Sequence, residues 1–199
     1  MSKRGGSVSL DIDRKQLIID AATKSFSSFG YKATTMDQVA RLANVGKGTI
    51  YTFYKNKEEL FHEIVSSLIK EMKAAAEEVI DDSQPFFINA DRVLYTLLEF
   101  RTEHQLMIKL LQEEKEMGTP AVAEVVQRLE DAIVNYMKGI INSAIESGEI
   151  KECDPELTAF VILKLYVALI FDWEKTRKPL EKKEISQFFQ LYLMNGLSK

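Results

Sequence analysis

The sequence predicts an all-α protein: an N-terminal three-helix head holding a helix-turn-helix, joined by a long helix to a C-terminal helical bundle, roughly nine helices in all. Three observations carry this. Apolar residues recur at i, i+3, i+4 intervals in one segment after another. Pro85, Pro120, Pro155 and Pro179 each fall at a boundary between such segments, where a helix can start but not continue. No window alternates with period two long enough to form a sheet strand. With 199 residues, 46% of them hydrophobic and 28% charged, the chain can bury a substantial core.

The most informative stretch runs from Thr35 to Lys57 as TMDQVARLANVGKGTIYTFYKNK. Thr35 can cap a helix start, with Gln38 three residues on completing the capping box. Val39, Ala40 and Ala43 form the apolar face of a first short arm, and Ile50 and Phe53 that of a second. Between them lie Asn44 and Gly46, which tolerate the positive φ of a sharp bend. The outward positions of the second arm are Lys47, Gly48, Thr49, Tyr51, Thr52 and Tyr54, with Lys57 beyond. No carboxylate stands among them. A helix-turn-helix over 35–54 with a groove-reading second helix follows.

The remaining elements are predicted in order. Residues 1–10 read as a basic, flexible arm. Asp13 caps a first helix that buries Ile18, Ala22, Phe26 and Phe29 against the helix-turn-helix, with Gly30 as its left-handed stop. Asn56 and Glu59 start a connecting helix to about residue 80, with Phe61, Ile64, Val65, Leu68, Ile69 and Met72 on one face. Further helices are expected over about 86–102, 104–117, 120–147, 155–175 and 181–196. Gly118 and Gly148 mark two stops, and Thr119-Pro120 and Asp154-Pro155 two capped starts. The domain boundaries are 12–72 for the head and 73–199 for the body.

Residues 155–175 are apolar almost all the way round, so their helix needs cover on more than one side. A second copy of the chain would supply that cover in a homodimer, the alternative being a fully internal core helix in a monomer. The candidate interface is Phe160, Leu163, Val167, Ile170 and Trp173, with Ile185, Phe188, Phe189 and Tyr192 from the last helix.

Charge is unevenly divided. The net charge is −4, yet residues 1–57 hold 10 basic and 4 acidic side chains, which leaves −10 for the rest. A basic head on an acidic body suits a polyanionic partner. The lone Cys153 excludes a disulfide framework and a cysteine zinc site. Glu59 and His62 have the spacing of a di-iron ligand pair, but no second such pair exists and Glu59 serves as a cap, so no metal is expected. There is no phosphate-binding glycine loop and no nucleophile elbow, so no enzyme activity or cofactor is expected. The N-terminus lacks an apolar signal core, and no run approaches the ~18 apolar residues of a membrane span. A cytoplasmic location is the expectation.

FSSFGY followed by TTMDQVARLANVGKGTIYTFYKNKEELF resembles the head of the tetracycline-repressor (TetR) family of bacterial transcriptional regulators. The shared pattern is a threonine, an Ala-x-x-Ala-x-Val turn and a Gly-x-Ile-Tyr recognition helix ending in lysine, over residues 12–72. Beyond it the match is one of architecture and length. The resemblance implies a palindromic operator in double-stranded DNA, a homodimer and a small-molecule effector. It also implies DNA contacts at Thr35, Lys47, Gly48, Thr49, Tyr51, Thr52, Tyr54 and Lys57. The residue chemistry agrees: lysines neutralise phosphates, Thr35 opens a helix whose amides face a phosphate, Gly48 admits backbone, Thr49 and the tyrosines donate, and Thr52 can read a base. Candidate effector contacts in the body are Tyr95, Phe100, Arg101, His104, Met107, Tyr136, Met137 and Tyr166, suited to a hydrophobic or amphipathic ligand. Such a ligand would shift the connecting helix and alter the separation of two heads that must meet grooves about 34–36 Å apart. The alternative is a DNA-bound scaffold controlled by a protein partner.

Overall fold

The computed structural model describes residues 5–103 and 105–198, with side chains over 13–100 and 106–198. Among these residues there are nine helices, and no strand beyond an isolated bridge between Ile150 and Ser198. They are α1 (Gly5–Ala33), α2 (Met36–Leu42), α3 (Lys47–Phe53), α4 (Lys57–Glu78), α5 (Phe86–Glu103), α6 (Gln105–Met117), α7 (Pro120–Glu146), α8 (Pro155–Val167) and α9 (Lys182–Phe189). A π-helical turn, Ala168–Asp172, prolongs α8, and Gln190–Met194 with a last turn Asn195–Leu197 prolongs α9. None of the described helices is long and apolar enough to cross a membrane.

The caps explain most boundaries. Thr35 takes an extended conformation and accepts the Gln38 amide at 3.2 Å, which opens α2. Asn56 accepts the Glu59 amide at 2.8 Å while Glu59 reaches back to the Lys55 amide at 2.7 Å. Asp154 accepts the amides of Glu156 and Leu157, both at 3.0 Å, ahead of Pro155 in the first turn of α8. Asn44, Gly118 and Gly148 have φ of 53°, 57° and 76°, where the expected bend and stops fall.

Other expectations are corrected. α1 begins at Gly5, so Asp13 lies inside it and residues 5–10 are helical. Gly30 departs from helical geometry at φ 84° and ψ 171°, but the helix resumes after it. Phe29 is 57% exposed, and Tyr31 takes its expected place in the core. The kink moves the buried position two residues along. Gly46 has φ −65° and acts as the extended N-cap of α3. The Thr119 hydroxyl donates to Glu113 at 3.0 Å.

Two compact units are present. One gathers the described residues of Met1–Lys70 and His104–Val126, the other those of Glu71–Glu103 and Gln127–Lys199. In the first, α2 packs on α1, α3 packs on α2, and α6 lies along α1 as well. Its centre is aromatic: Phe26 stacks on Tyr31 at 5.9 Å, meets Phe61 edge-on at 5.2 Å, and Tyr31 lies 4.6 Å from Phe61. Such pairs add about 0.5–1.5 kcal/mol each beyond burial alone. Ile18, Ala22, Val39, Ala40, Ala43, Ile50 and Leu60 are buried in the same unit. The first unit therefore joins the described residues of His104–Val126 to those of a head that ends at Lys70.

The second unit is built on α5, α7, α8 and α9. Ile141, Ala144, Ile150 and Ala159 are buried together, with Phe86, Phe87, Met137 and Cys153 packed against them. Cys153 thus sits in ordinary apolar packing. Polar ties fix the register: Ser186 to Asp91 at 2.6 Å and the Tyr166 hydroxyl to the Leu97 carbonyl at 3.1 Å.

Candidate nucleic-acid interface

α3 is seven residues long and only Ile50 within it is buried. Lys47, Gly48, Tyr51 and Thr52 face outward, Phe53 is half-buried on the apolar side, and the chemistry of the outward positions decides what they meet. Lys47 is exposed and holds the Asp37 carboxylate of α2 at 2.8 Å. That hydrogen bond and charge keep the ammonium above the ordinary lysine range, so Lys47 is cationic at every physiological pH. Around Gly48 an added Cβ would meet nothing within 4 Å, which leaves open space over the helix there. Tyr51 is 45% exposed. Thr52 is exposed, with its hydroxyl donated to the Thr49 carbonyl at 2.6 Å, and Thr49 is half-buried. Thr35 is exposed at the start of α2.

Two residues leave this outward set. Tyr54 is 1% exposed and its hydroxyl has no hydrogen-bond partner. Burial first, and the nearby Glu63 carboxylate next, push its ionisation well above the ordinary 10.0. Tyr54 is the extended C-cap of α3, four residues on from the buried Ile50, and its amide donates to the Ile50 carbonyl. That spacing could have identified Tyr54 as core from the sequence. Lys57 is half-buried: its ammonium donates to the carbonyls of Tyr31 at 2.8 Å and Thr34 at 2.9 Å and lies 4.1 Å over the Tyr31 ring. Burial lowers its ionisation, while Glu113 and Glu58 oppose that. Lys57 is a structural cation that ties the end of α1 to α4. The sequence shows its charge but not these carbonyls.

What remains is a short exposed helix bearing one fixed cation, a phenol, hydroxyls and a bare glycine, suited to phosphates and base edges. The family model described as "Bacterial regulatory proteins, tetR family" matches residues 18–64, the span that builds this surface. A second, "Tetracyclin repressor-like, C-terminal domain", matches residues 91–197. The chain belongs to the TetR family.

Individual relatives agree. The HTH-type transcriptional regulator YhgD of Bacillus subtilis is 61% identical over 189 residues, covering 95% of this chain and 99% of the relative. The fatty acid metabolism regulator protein of the same organism is 29% identical over 185 residues, covering 90% and 93%. The structure of the Bacillus subtilis regulator FadR in complex with stearoyl-CoA superposes with a TM-score of 0.72 at 23% identity, covering 92% and 98%. Likeness at that identity speaks for the fold. The protein is a TetR-family helix-turn-helix transcriptional regulator, and the family is one of DNA-binding regulators, not enzymes.

Elsewhere in this TetR-family chain the candidate dimer residues divide. Phe160, Trp173, Phe188 and Tyr192 are exposed, and Val167 is half-buried. Leu163, Ile170, Ile185 and Phe189 are buried within the chain itself, so their side chains belong to its own core. Leu157, Val161 and Leu191, outside the candidate set, are exposed on the same helices. The sequence marked residues 155–175 as apolar nearly all round and gave the last helix one apolar stripe, but only packing tells which of these side chains the chain itself covers.

The candidate effector contacts are less coherent. The Arg101 side chain and His104 lie outside the described residues. Met107 belongs to the first compact unit and the other described candidates to the second. Met137 packs against the Ile141 cluster, the Tyr166 hydroxyl is held by Leu97, and Tyr136 lies 5.2 Å beneath the Lys73 ammonium. Tyr95 and Phe100 are half-buried. A groove of about 440 Å³ opens instead among Phe87, Gln187, Gln190, Leu191, Met194, Asn195 and Ser198. None of the candidates lines it.

Proposed function

We propose that this protein is a repressor that binds a palindromic operator as a homodimer and is released by an amphipathic ligand of the long-chain acyl-CoA class. The observation that supports DNA reading is the outward face of α3, where Lys47, Gly48, Tyr51 and Thr52 are exposed and no carboxylate stands among them. Thr35, Lys47, Gly48, Thr49, Tyr51 and Thr52 are the DNA contacts of this reading. The dimer is supported by Leu157, Phe160, Val161, Phe188, Leu191 and Tyr192, large apolar side chains that α8 and the α9 extension leave exposed. The ligand class is supported by the fatty acid metabolism regulator among the relatives and by the stearoyl-CoA held by the similarly folded FadR.

The test is selection of duplexes from a random pool by the full-length protein, followed by titration of the selected duplex with stearoyl-CoA. A palindromic sequence is expected, with release by micromolar stearoyl-CoA and none by free coenzyme A. Failure to enrich any duplex sinks the DNA reading; enrichment without release sinks the ligand class. Control by a protein partner draws support from Phe29 and Met117, apolar side chains exposed at 57% and 58% on α1 and α6. DNA binding unmoved by stearoyl-CoA would favour it.

A further inference from the structure

Glu113 is a carboxylate 4% exposed in the middle of a DNA-binding unit, and nothing in the DNA reading above uses it. Its surroundings are unusual for a helix residue. α1 breaks from helical geometry at Gly30, so the amides that follow lose their partners one turn back. Glu113 of α6, more than 80 residues along the chain, replaces them: Oε2 accepts the Tyr31 amide at 2.6 Å and Oε1 the Lys32 amide at 2.9 Å. The Thr119 hydroxyl donates to Oε1 at 3.0 Å and fixes the carboxylate from the far end of α6. Gly30 is required twice over, by its positive φ and because a Cβ there would overlap Oε2.

The same short segment is held from its other side. The Lys57 ammonium at the start of α4 takes the Tyr31 and Thr34 carbonyls, and the Thr34 hydroxyl donates back to the Gly30 carbonyl at 2.8 Å. Residues 30–34 are thus pinned between a carboxylate from α6 and an ammonium from α4. The next residue, Thr35, is the N-cap of α2. Wherever α6 carries Glu113, the start of the helix-turn-helix must follow or lose its hydrogen bonds to a buried charge, which is a steep penalty.

We infer that Glu113 is the positioning residue that ties α6 to the start of the helix-turn-helix, so that the DNA affinity of α3 depends on where α6 lies. This rests on the DNA-binding reading above and adds to it the atom pair by which a displacement of α6 reaches α3. Glu113 touches no DNA in this account; it acts through the turn at Gly30–Thr34.

The test is Glu113→Gln in the full-length protein, read by residue-resolved amide exchange and by affinity for the duplex that the wild type selects. Glutamine keeps the shape but turns an NH₂ toward a backbone donor. Exchange at Tyr31, Lys32 and through α2 and α3 is expected to quicken by about tenfold or more while Ile18–Ser25 of α1 stays protected. Affinity per folded molecule is expected to fall about tenfold. Thr119→Val, which removes only the hydroxyl that orients Oε1, should move both readouts the same way by less, and it carries the test if Glu113→Gln does not fold. A uniform rise in exchange across the whole unit, with affinity per folded molecule unchanged, would overturn the inference and leave Glu113 a stabilising residue only. If the wild type selects no duplex, the DNA reading falls; unchanged exchange at Tyr31 and Lys32 sinks the Glu113 link whatever the DNA result.

Discussion

α3 and α8 each bury few of their residues fully, and what they expose is of opposite chemistry. α3 buries Ile50 alone and exposes a lysine, a tyrosine, a threonine and a glycine. α8 buries Ala159 and Leu163 and exposes Leu157, Phe160 and Val161. Exposed donors stay hydrated until an anion replaces the water, so such a face can wait in solvent without cost. An exposed stripe of leucine, phenylalanine and valine costs about 25 cal/mol per Å² for as long as it stays wet. The difference teaches which partner each helix fits: a polyanion for α3, a second apolar surface for α8. The charge division between head and body runs the same way.

The largest expected effect separates the two tyrosines at the end of α3. Tyr54→Ala should cost about 3–5 kcal/mol of unfolding free energy, because it empties a fully buried aromatic site. Tyr51→Ala should change stability by less than about 0.5 kcal/mol and show its effect in DNA affinity. Urea unfolding of both variants gives the comparison. Equal stability losses would mean that Tyr54 is not the core anchor described above.

For α8 the next effect is expected in assembly. Phe160→Glu combined with Tyr192→Glu should raise the dimer dissociation constant by about a hundredfold, since two charges would be desolvated in an apolar interface. Sedimentation velocity across a concentration series reads this directly. A wild type that sediments as a monomer at high micromolar concentration would remove the interface. Both positions are exposed in the single chain, so the melting temperature of the diluted protein should barely move.

Lys47→Ala should weaken binding to every duplex by about tenfold or less and lower the slope of log affinity against log salt by about 1. Asp37→Asn is its counterpart. The Asp37 carboxylate holds the Lys47 ammonium in the free protein, so its removal should strengthen binding slightly while Lys47 keeps its charge. An unchanged salt slope in Lys47→Ala would remove this lysine from the phosphate contacts.

Much of the head, and the start of α8 in the body, was legible because the determinants are local. Thr35, Asn56 and Asp154 cap through amides two or three residues away, and Asn44 turns the chain by its own backbone, so a short window of sequence contains both partners. What was not legible depends on distant partners. Glu113 reads as one more surface glutamate on α6 until Tyr31 and Lys32 are placed against it. The same holds for Lys57, whose charge suggests phosphate and whose ammonium goes to two carbonyls. Tyr31 holds the buried place expected of Phe29 because the kink at Gly30 breaks the 3.6-residue count on which a buried face is read. In α8 the periodicity was nearly saturated with apolar residues, and a saturated pattern does not say which stripe is covered.

The smallest effect concerns the Tyr54 hydroxyl, and it tests the inner side of α3 as Lys47 tests the outer. That hydroxyl is buried without a hydrogen-bond partner, so Tyr54→Phe removes a desolvated polar atom and should leave stability unchanged or raise it by up to about 1 kcal/mol near neutral pH. Its ionisation is raised above 10.0 in the folded chain, as are those of Tyr31 and Tyr136. Below pH 10 these tyrosines are protonated in both folded and unfolded chains and contribute no slope. Above it the unfolded chain ionises while the folded one holds its protons, so stability falls with rising pH by up to about 1.4 kcal/mol per unit for each such group. Tyr54→Phe deletes one of the three contributions, so its stability between about pH 9 and 11 should decline less steeply than that of the wild type. Urea midpoints measured across that range decide it: parallel declines would place the Tyr54 hydroxyl in contact with water.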